Sequence, residues 1–275
     1  HMRSTESLEN LGLETDLSDT LEAELAALAD SFEELPLPIA DGSYQVRTAA
    51  EYAMLAGRGE VTEEQAQAAA AAFLDMDAAR LQATGRSEGV VPCWNFAIDD
   101  GDDTSYIAVT VSGGEVLCYY SSSAGGVPVL STDEAVEAAA AFLRARGYGG
   151  MRLIDTEDAG QSLICTFCYV QDNVLCTADQ LRVRVRLDDG TVCGFSSALH
   201  LDTHRARTLP PDTIGIEAGQ AAVPGTLQVM DTRTALLRLY GARETLCYEY
   251  LCETDDGQRC VIAVNARTGQ QERIL

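Results

Sequence analysis

One stretch of this sequence occurs twice: residues 130–143 read LSTDEAVEAAAAFL, and residues 61–74 read VTEEQAQAAAAAFL. Both copies begin with a capping box, in which Ser or Thr is followed three residues later by Glu or Gln. An Ala-rich run ending in Phe-Leu follows, so each copy predicts a helix with the same start. Similarity of this kind, repeated along a chain, indicates tandem structural units.

Strand-like segments follow each helix. Aromatic residues and Cys alternate with other residues in 93–96, 165–169 and 247–250, as in a sheet with one face against a helix. A hairpin is then predicted to close each unit. The turns of these hairpins contain Gly113-Gly114, Asp188-Asp189-Gly190 and Thr268-Gly269. Gly in these turns supplies the positive φ angles that tight hairpins require.

A third, weaker copy of the helix begins at residues 214–218, where no clean cap is present and Pro224 keeps the helix short. Apolar residues spaced by three and four from Leu17 to Leu35 predict an amphipathic helix before the repeats. We therefore predict an α+β fold of three tandem modules, each a helix packed on an antiparallel sheet, preceded by an N-terminal helix. The predicted boundaries are 1–40 for the N-terminal helix and linker, and 41–124, 125–208 and 209–275 for the modules.

The chain is strongly acidic: its net charge is −24 over 275 residues, and every one of its 19 basic residues is Arg. A surface of this charge repels phosphate backbones and anionic lipid head groups, so nucleic-acid binding is disfavoured. No segment approaches the roughly 20 apolar residues that a membrane helix needs. Because His1-Met2 resembles a cloning remnant, we expect an excised fragment of a longer protein.

Nine cysteines are present, and eight of them lie in segments with a strand pattern, where Cys packs as a small apolar residue. Cys165 and Cys168 have the spacing of a CxxC motif. Residues i and i+3 of a strand face opposite sides of its sheet, however. A zinc or redox role for this pair is therefore the less favoured interpretation, while disulfides elsewhere stay open.

Two histidines, His200 and His204, have the i, i+4 spacing of zinc ligands on one helix face. Neither the Glu of an HExxH motif nor an obvious third ligand accompanies them. The favoured interpretation is a surface loop leading into Pro210-Pro211.

Four carboxylates, Asp99, Asp100, Asp102 and Asp103, surround Gly101 between two strand-like segments. This pattern predicts an acidic hairpin tip, and calcium binding or glycosidase chemistry there is less favoured. No P-loop, dinucleotide fingerprint or GxSxG motif is present. We assign no catalytic, cofactor-binding or metal-binding residue, and we predict that the chain is not an enzyme.

The order of motifs along the chain resembles the PepSY region of the YpeB family of spore germination proteins. Asp41-Gly-Ser43 is similar to a segment that precedes this region in the family, although its Pro and Phe are missing. The strand and turn LRVRVRLDDG at 181–190, the Gly-Phe to His-x-x-Arg-x-Leu stretch at 194–210, and the segments 227–250 and 264–272 also resemble family motifs. The likeness covers about residues 40–275 and is stronger in the second and third repeats.

The resemblance implies a role outside the cytoplasm, at the spore inner membrane and cortex, with a membrane anchor upstream of this chain. YpeB-like proteins are partners of the cortex-lytic glycosidase SleB. The resemblance therefore implies a non-catalytic protein without a cofactor that binds and stabilises, localises or restrains a SleB-like enzyme. His204 and Arg207 match the family motif and are the candidates for partner contact, with a structural salt bridge or a carbonyl cap as their alternative role. Two other functions stay open: a PepSY-type peptidase inhibitor, and a metal- or carboxylate-dependent hydrolase.

Overall fold

The computed structural model describes residues 52–99, 104–123, 125–240 and 243–274. The α-helices in these residues are α1 Glu63–Leu74, α2 Thr132–Ala145, α3 Ala198–Thr203 and α4 Ile216–Gly219. Short 3-10 turns follow α1 and α4, at Ala78–Arg80 and Gln220–Ala222. The strands are β1 Leu81–Ser87, β2 Cys93–Asp99, β3 Thr104–Thr110, β4 Val116–Ser121, β5 Met151–Asp158, β6 Ser162–Gln171, β7 Val174–Arg186, β8 Val192–Ser196, β9 Gln228–Tyr240, β10 Arg243–Glu253, β11 Arg259–Asn265 and β12 Gln271–Ile274.

The two long helices begin as their repeated sequences predict. At α1, Thr62 Oγ1 accepts from the backbone N–H of Gln65, and the Gln65 side chain accepts from the backbone N–H of Thr62. Ser131 and Glu134 form the same box at α2. Each box satisfies two N–H groups that the start of a helix leaves without partners. Both predicted capping boxes are confirmed.

The helix of the third repeat, α4, is short, as predicted, and its packing against the sheet gives a further reason for its sequence. α4 has four residues and follows Gly215, which has no side chain to cap it. A Cβ at Gly219 would lie 2.5 Å from the Tyr250 hydroxyl of β10 and 3.0 Å from the ring of Tyr248. The same hydroxyl donates to the carbonyl of Ile216. Tyr250 therefore holds α4 so close to the sheet that only Gly fits at this position.

Four antiparallel strands in sequential order follow each of α1, α2 and α4: β1–β4, β5–β8 and β9–β12. In the described residues they join into one twelve-stranded sheet, because β4 pairs with β8 and β7 also pairs in parallel with β9. The closing hairpins share one geometry, with a one-residue bulge in the strand that follows each turn. In each, the N–H of Thr110, Arg186 or Asn265 donates to the carbonyl five residues later at 2.8–2.9 Å.

An approximate two-fold axis relates the first two strand sets. β4 and β8 are the last strands of their sets, and they pair antiparallel with Tyr119 opposite Phe195. Both residues are the fourth of their strand. On either side of them, the third residue of one strand pairs with the fifth residue of the other. The sequence repeat therefore places equivalent strands against each other.

α1 and α2 share one hydrophobic core on the same face of the sheet. The small residues Ala66 and Ala70 of α1 and Ala135 and Ala139 of α2 are completely buried there, together with Phe195. Small side chains allow both helices to lie close to the strands. Large apolar residues of the sheet then fill the space between the helices and the sheet. A separate cluster lies against α4 and contains Tyr248, Tyr250 and Ile262.

The α+β fold class is confirmed, and the sheet dominates it. The division into modules at 41–124, 125–208 and 209–275 stays a prediction. The predicted N-terminal helix of residues 1–40 lies outside the described residues, as do Asp100, Asp102 and Asp103 of the acidic stretch. Among the described helices, none combines the length and the apolar character needed to cross a membrane.

The eight cysteines with a strand pattern all lie in strands, and the ninth, Cys176, lies in β7. Cys165 belongs to the core beneath the helices, whereas Cys168 belongs to a cluster with Leu175 and Ala235. The prediction that the two CxxC thiols face opposite sides of the sheet is confirmed. They are therefore not placed to bind one metal ion together.

Candidate functional site

A bulge in β7 carries the first residue of the candidate site. The pairing of β6 with β7 shifts between Cys168 and Tyr169, so residues 177–179 protrude from the regular ladder. Asp179 is the last of them, and its side chain has no exposure to solvent. A charged carboxylate buried in this way is stable only with several hydrogen-bond donors around it.

The donors come from α3 and from the segment that follows it. His200 and Thr203 are buried on the helix, and His204 ends it, with its backbone N–H donating to the carbonyl of His200 at 2.8 Å. The prediction of a surface loop at these histidines is therefore wrong. The helix is held down by Leu201, which packs with Leu55 and Cys93. This long-range contact is invisible in the local sequence.

The Asp179 carboxylate accepts hydrogen bonds on both oxygens. Arg207 donates to each oxygen at 2.9 Å, Thr203 Oγ1 donates to Oδ1, and His204 Nδ1 lies 3.0 Å from Oδ2. Because an ionised carboxylate only accepts, His204 carries a proton on Nδ1. Burial alone would raise the pKa of Asp179, but the hydrogen bonds from His204, Arg207 and Thr203 outweigh it and hold the pKa below its usual range.

Arg207 binds a second carboxylate, Glu244 of β10. Its Nε and one terminal nitrogen lie 2.7–3.1 Å from the two Glu244 oxygens. The Arg207 side chain is only 5% exposed. Burial opposes its charge, but the bonds to Glu244 and Asp179 outweigh burial and raise its pKa. Gln171 of β6 binds both backbone polar groups of Arg207, at 2.7 and 3.0 Å.

The remaining histidine, His200, has no hydrogen bond on Nδ1, which is buried. Its ring stacks on that of His204 with 4.2 Å between centroids, and Tyr148 contacts its edge. Burial, with a smaller effect of His204, lowers the pKa of His200 to about 4, so the imidazole is neutral at pH 7. Asp179, His200 and His204 each place one potential ligand atom within 4.8 Å of those of the other two.

The site unites residues that the sequence singled out with residues that it did not. His200, His204 and Arg207 come together, while Asp179 and Glu244 were missed. A signal for Asp179 exists, because it has the same parity as the buried apolar residues of β7 that follow it. An acid on the buried face of a strand requires partners. Glu244, the second carboxylate of Arg207, has no comparable signal.

The arrangement fastens three elements together: β7 through Asp179, the segment after α3 through Arg207, and β10 through Glu244. A structural salt bridge, the alternative role for Arg207, is what these contacts form. Partner contact by His204 and Arg207 stays a prediction, and His204, at 28% exposed, is the more accessible of the two.

Comparison with known proteins gives consistent results. The family described as "YpeB sporulation, PepSY1 and PepSY2 domains" matches residues 21–210. Sporulation protein YpeB of Halalkalibacterium halodurans is 26% identical over 217 residues, which are 78% of this chain and 48% of that protein. Sporulation protein YpeB of Bacillus subtilis is 29% identical over 185 residues, 66% of this chain and 41% of that protein. The chain thus spans about half the length of these curated relatives.

A solved structure, the Bacillus megaterium YpeB C-terminal domain, has the same fold. The TM-score is 0.68 at 24% sequence identity, over 79% of this chain and 98% of that one. At this identity the likeness concerns the fold alone. Since the family match extends over more than half of the residues, the chain belongs to the YpeB family of sporulation proteins and contains its PepSY region.

Proposed function

We propose that this chain is a non-catalytic unit of spore germination that binds a SleB-like cortex-lytic glycosidase and stabilises, localises or restrains it. The proposal places it outside the cytoplasm, at the spore inner membrane and cortex. Membership of the YpeB family is the observation that carries the proposal. The buried site agrees with a non-catalytic role, because Arg207 binds both Asp179 and Glu244 within the chain. Such groups serve the stability of the chain rather than proton transfer to a substrate.

We also infer that the described residues form three PepSY-like modules. The family match names two PepSY domains up to residue 210, and β9–β12 form a third helix-and-four-strand set beyond it. The common hairpin geometry of the three sets supports this division. Because the first two share a core and the third has its own, we expect them to unfold as two units. Native-state hydrogen exchange tests this, and one protection class throughout the chain would contradict it.

The partner proposal is tested by measuring association of the purified chain with a SleB-like enzyme on a biosensor surface. We expect saturable 1:1 binding that persists at physiological salt. The net charge of −24 attracts any basic protein at low salt, so a basic glycosidase of another family, such as lysozyme, is the matched control. No binding at low salt, or equal binding of lysozyme, would overturn the proposal.

The non-catalytic part has its own test. Purified spore cortex is incubated with the chain alone, with the SleB-like enzyme alone, and with both. We expect no soluble fragments from the chain alone and an altered rate of release from the mixture. Fragment release by the chain alone would show that it is an enzyme after all.

A further inference from the structure

One buried nitrogen of His200 has no hydrogen-bond partner. His200 is 4% exposed, yet its Nδ1 is buried and contacts neither a donor nor an acceptor. A buried polar atom of this kind is uncommon and requires an explanation, such as an ion. The ring lies against His204, whose own Nδ1 lies 3.0 Å from Asp179. Two imidazoles and a carboxylate thus lie close together, and one of the imidazoles has a buried nitrogen without a hydrogen-bond partner.

We propose that Asp179, His200 and His204 form a binding site for a first-row divalent cation, best suited to Zn²⁺. The sequence offered only the two histidines, and the fold supplies the third ligand from the bulge of β7. Imidazole and carboxylate are the ligands that Zn²⁺ takes in sites with three protein ligands, and the fourth position is then open to water. The proposal is independent of the partner enzyme.

The distances fit a site that closes on the ion. The ligand atoms lie within 4.8 Å of one another, whereas atoms in a tetrahedral zinc site with bonds of about 2.0–2.2 Å are roughly 3.3 Å apart. A movement of about 1–1.5 Å is therefore needed, together with a rotation of one imidazole, because the two rings are stacked at 22° and each binds an ion in its own plane. His204 is able to supply it, because it lies just beyond the last residue of α3 in extended conformation and is 28% exposed. Its proton moves from Nδ1 to Nε2, which frees Nδ1 for the ion.

The charges around the site also favour a cation. Two carboxylates, Asp179 and Glu244, face the single buried guanidinium of Arg207, at 2.9 and 2.7 Å. Arg207 and Thr203 fix the orientation of the Asp179 carboxylate by donating hydrogen bonds to it, as residues around a metal site do for its ligands. Nδ1 of His200 has no hydrogen-bond partner that would compete with an ion for it.

The test uses the full chain after chelator treatment and dialysis. Co²⁺ is added while the visible absorption spectrum is recorded, and Zn²⁺ is then titrated to displace it. We expect one Co²⁺ per chain with the strong absorption of a four-coordinate site, displacement by one equivalent of Zn²⁺, and a higher Tm with Zn²⁺. No cobalt spectrum and no Tm change in the wild-type chain would overturn the proposal.

Two variants identify the ligands. His204→Gln, at a partly exposed position, is expected to weaken Zn²⁺ binding at least 10-fold and to abolish the Tm change, since loss of a residue that only supports a ligand already costs about 10- to 100-fold. Cys168→Ser is the matched control for binding by a nearby thiolate, and it is expected to bind Zn²⁺ as the wild type does. Unchanged affinity in His204→Gln, or loss of binding in Cys168→Ser, would contradict the proposed ligand set.

Discussion

Phe73 and Phe142 stand at the same position of the two repeated helices, and their rings meet edge to face with centroids 5.5 Å apart. Both also contact Phe195, at 4.8 and 6.0 Å. Arg146 closes the group: its Nε donates to the carbonyl of Phe73, and its guanidinium lies 3.6 Å from the Phe142 ring centroid. The two copies of the repeated sequence therefore contact each other directly. The same approximate two-fold axis relates β4 to β8.

The first prediction concerns this contact. Phe73→Leu and Phe142→Leu each leave an apolar side chain but remove one ring of the pair. In a double-mutant cycle we expect a coupling of about 0.5–1.5 kcal/mol in the free energy of urea unfolding, the usual value of an aromatic pair. Leu246 lies in the separate core against α4, so the effects of Phe73→Leu and Leu246→Ala on the free energy of unfolding should instead add within about 0.5 kcal/mol. Equal coupling in both cycles would refute the specific contact.

The sequence predicts this fold where its signals are local. Capping residues set the starts of α1 and α2, and Gly in the turns sets the closing hairpins. The first strand of each set, β1, β5 and β9, was not located, and each has an irregular register against its neighbour. The extra residues at these bulges are Thr84, Ile154 and Met230. A bulge interrupts the period of two, so the alternation that marks a strand is lost.

The same physical reason limits prediction of the site. Asp179 belongs to a bulge, its partners Thr203, His204 and Arg207 follow 24 to 28 residues later, and Glu244, the second carboxylate of Arg207, follows after 65. The motif His-x-x-Arg marked the right segment but gave it the wrong surroundings. The reason is that the helix around His200 is stabilised by burial of Leu201 rather than by its own propensity.

The second prediction compares two neighbouring arginines that both pair with Glu244. Arg207→Ala leaves the buried Asp179 carboxylate without its guanidinium and Glu244 with only the exposed Arg205, which should lower the free energy of unfolding by about 3–5 kcal/mol. Arg205 is 52% exposed, so Arg205→Ala should cost less than about 1 kcal/mol. Urea unfolding followed by circular dichroism measures both. Similar losses in the two variants would mean that Arg207 does not carry the junction between β7 and β10.

The third prediction uses two glycines of the third set. Ala has the higher helix propensity, yet Gly219→Ala should destabilise the chain by about 1–3 kcal/mol because its Cβ would collide with Tyr250. Gly225 is the control, since a Cβ there meets no atom within 4 Å, and Gly225→Ala should change stability little. In the Tyr250→Phe background, which lacks the hydroxyl, the cost of Gly219→Ala should shrink. A cost that is the same in both backgrounds would exclude the hydroxyl as its cause.

The last prediction concerns the thiols. Seven of the nine cysteines are buried, and burial raises the pKa of Cys165 to about 11 and that of Cys247 to about 12. The thiolate is the reactive form, so iodoacetamide at pH 8 should modify the two partly exposed residues, Cys118 and Cys260, long before the others. Mass spectrometry of tryptic peptides at successive times gives the order.

Cys260 also lies directly opposite Cys252 in the pairing of β10 with β11. Opposite residues of an antiparallel pair have Cβ atoms about 4.5–5.5 Å apart, which is a small movement from the 3.5–4.5 Å of a disulfide. Mild oxidation with diamide should therefore form this disulfide before any other within the chain. It should protect Cys260 from iodoacetamide and leave Cys118 reactive. If Cys118 forms the first disulfide instead, the register of β10 and β11 does not control oxidation, and exposure alone does.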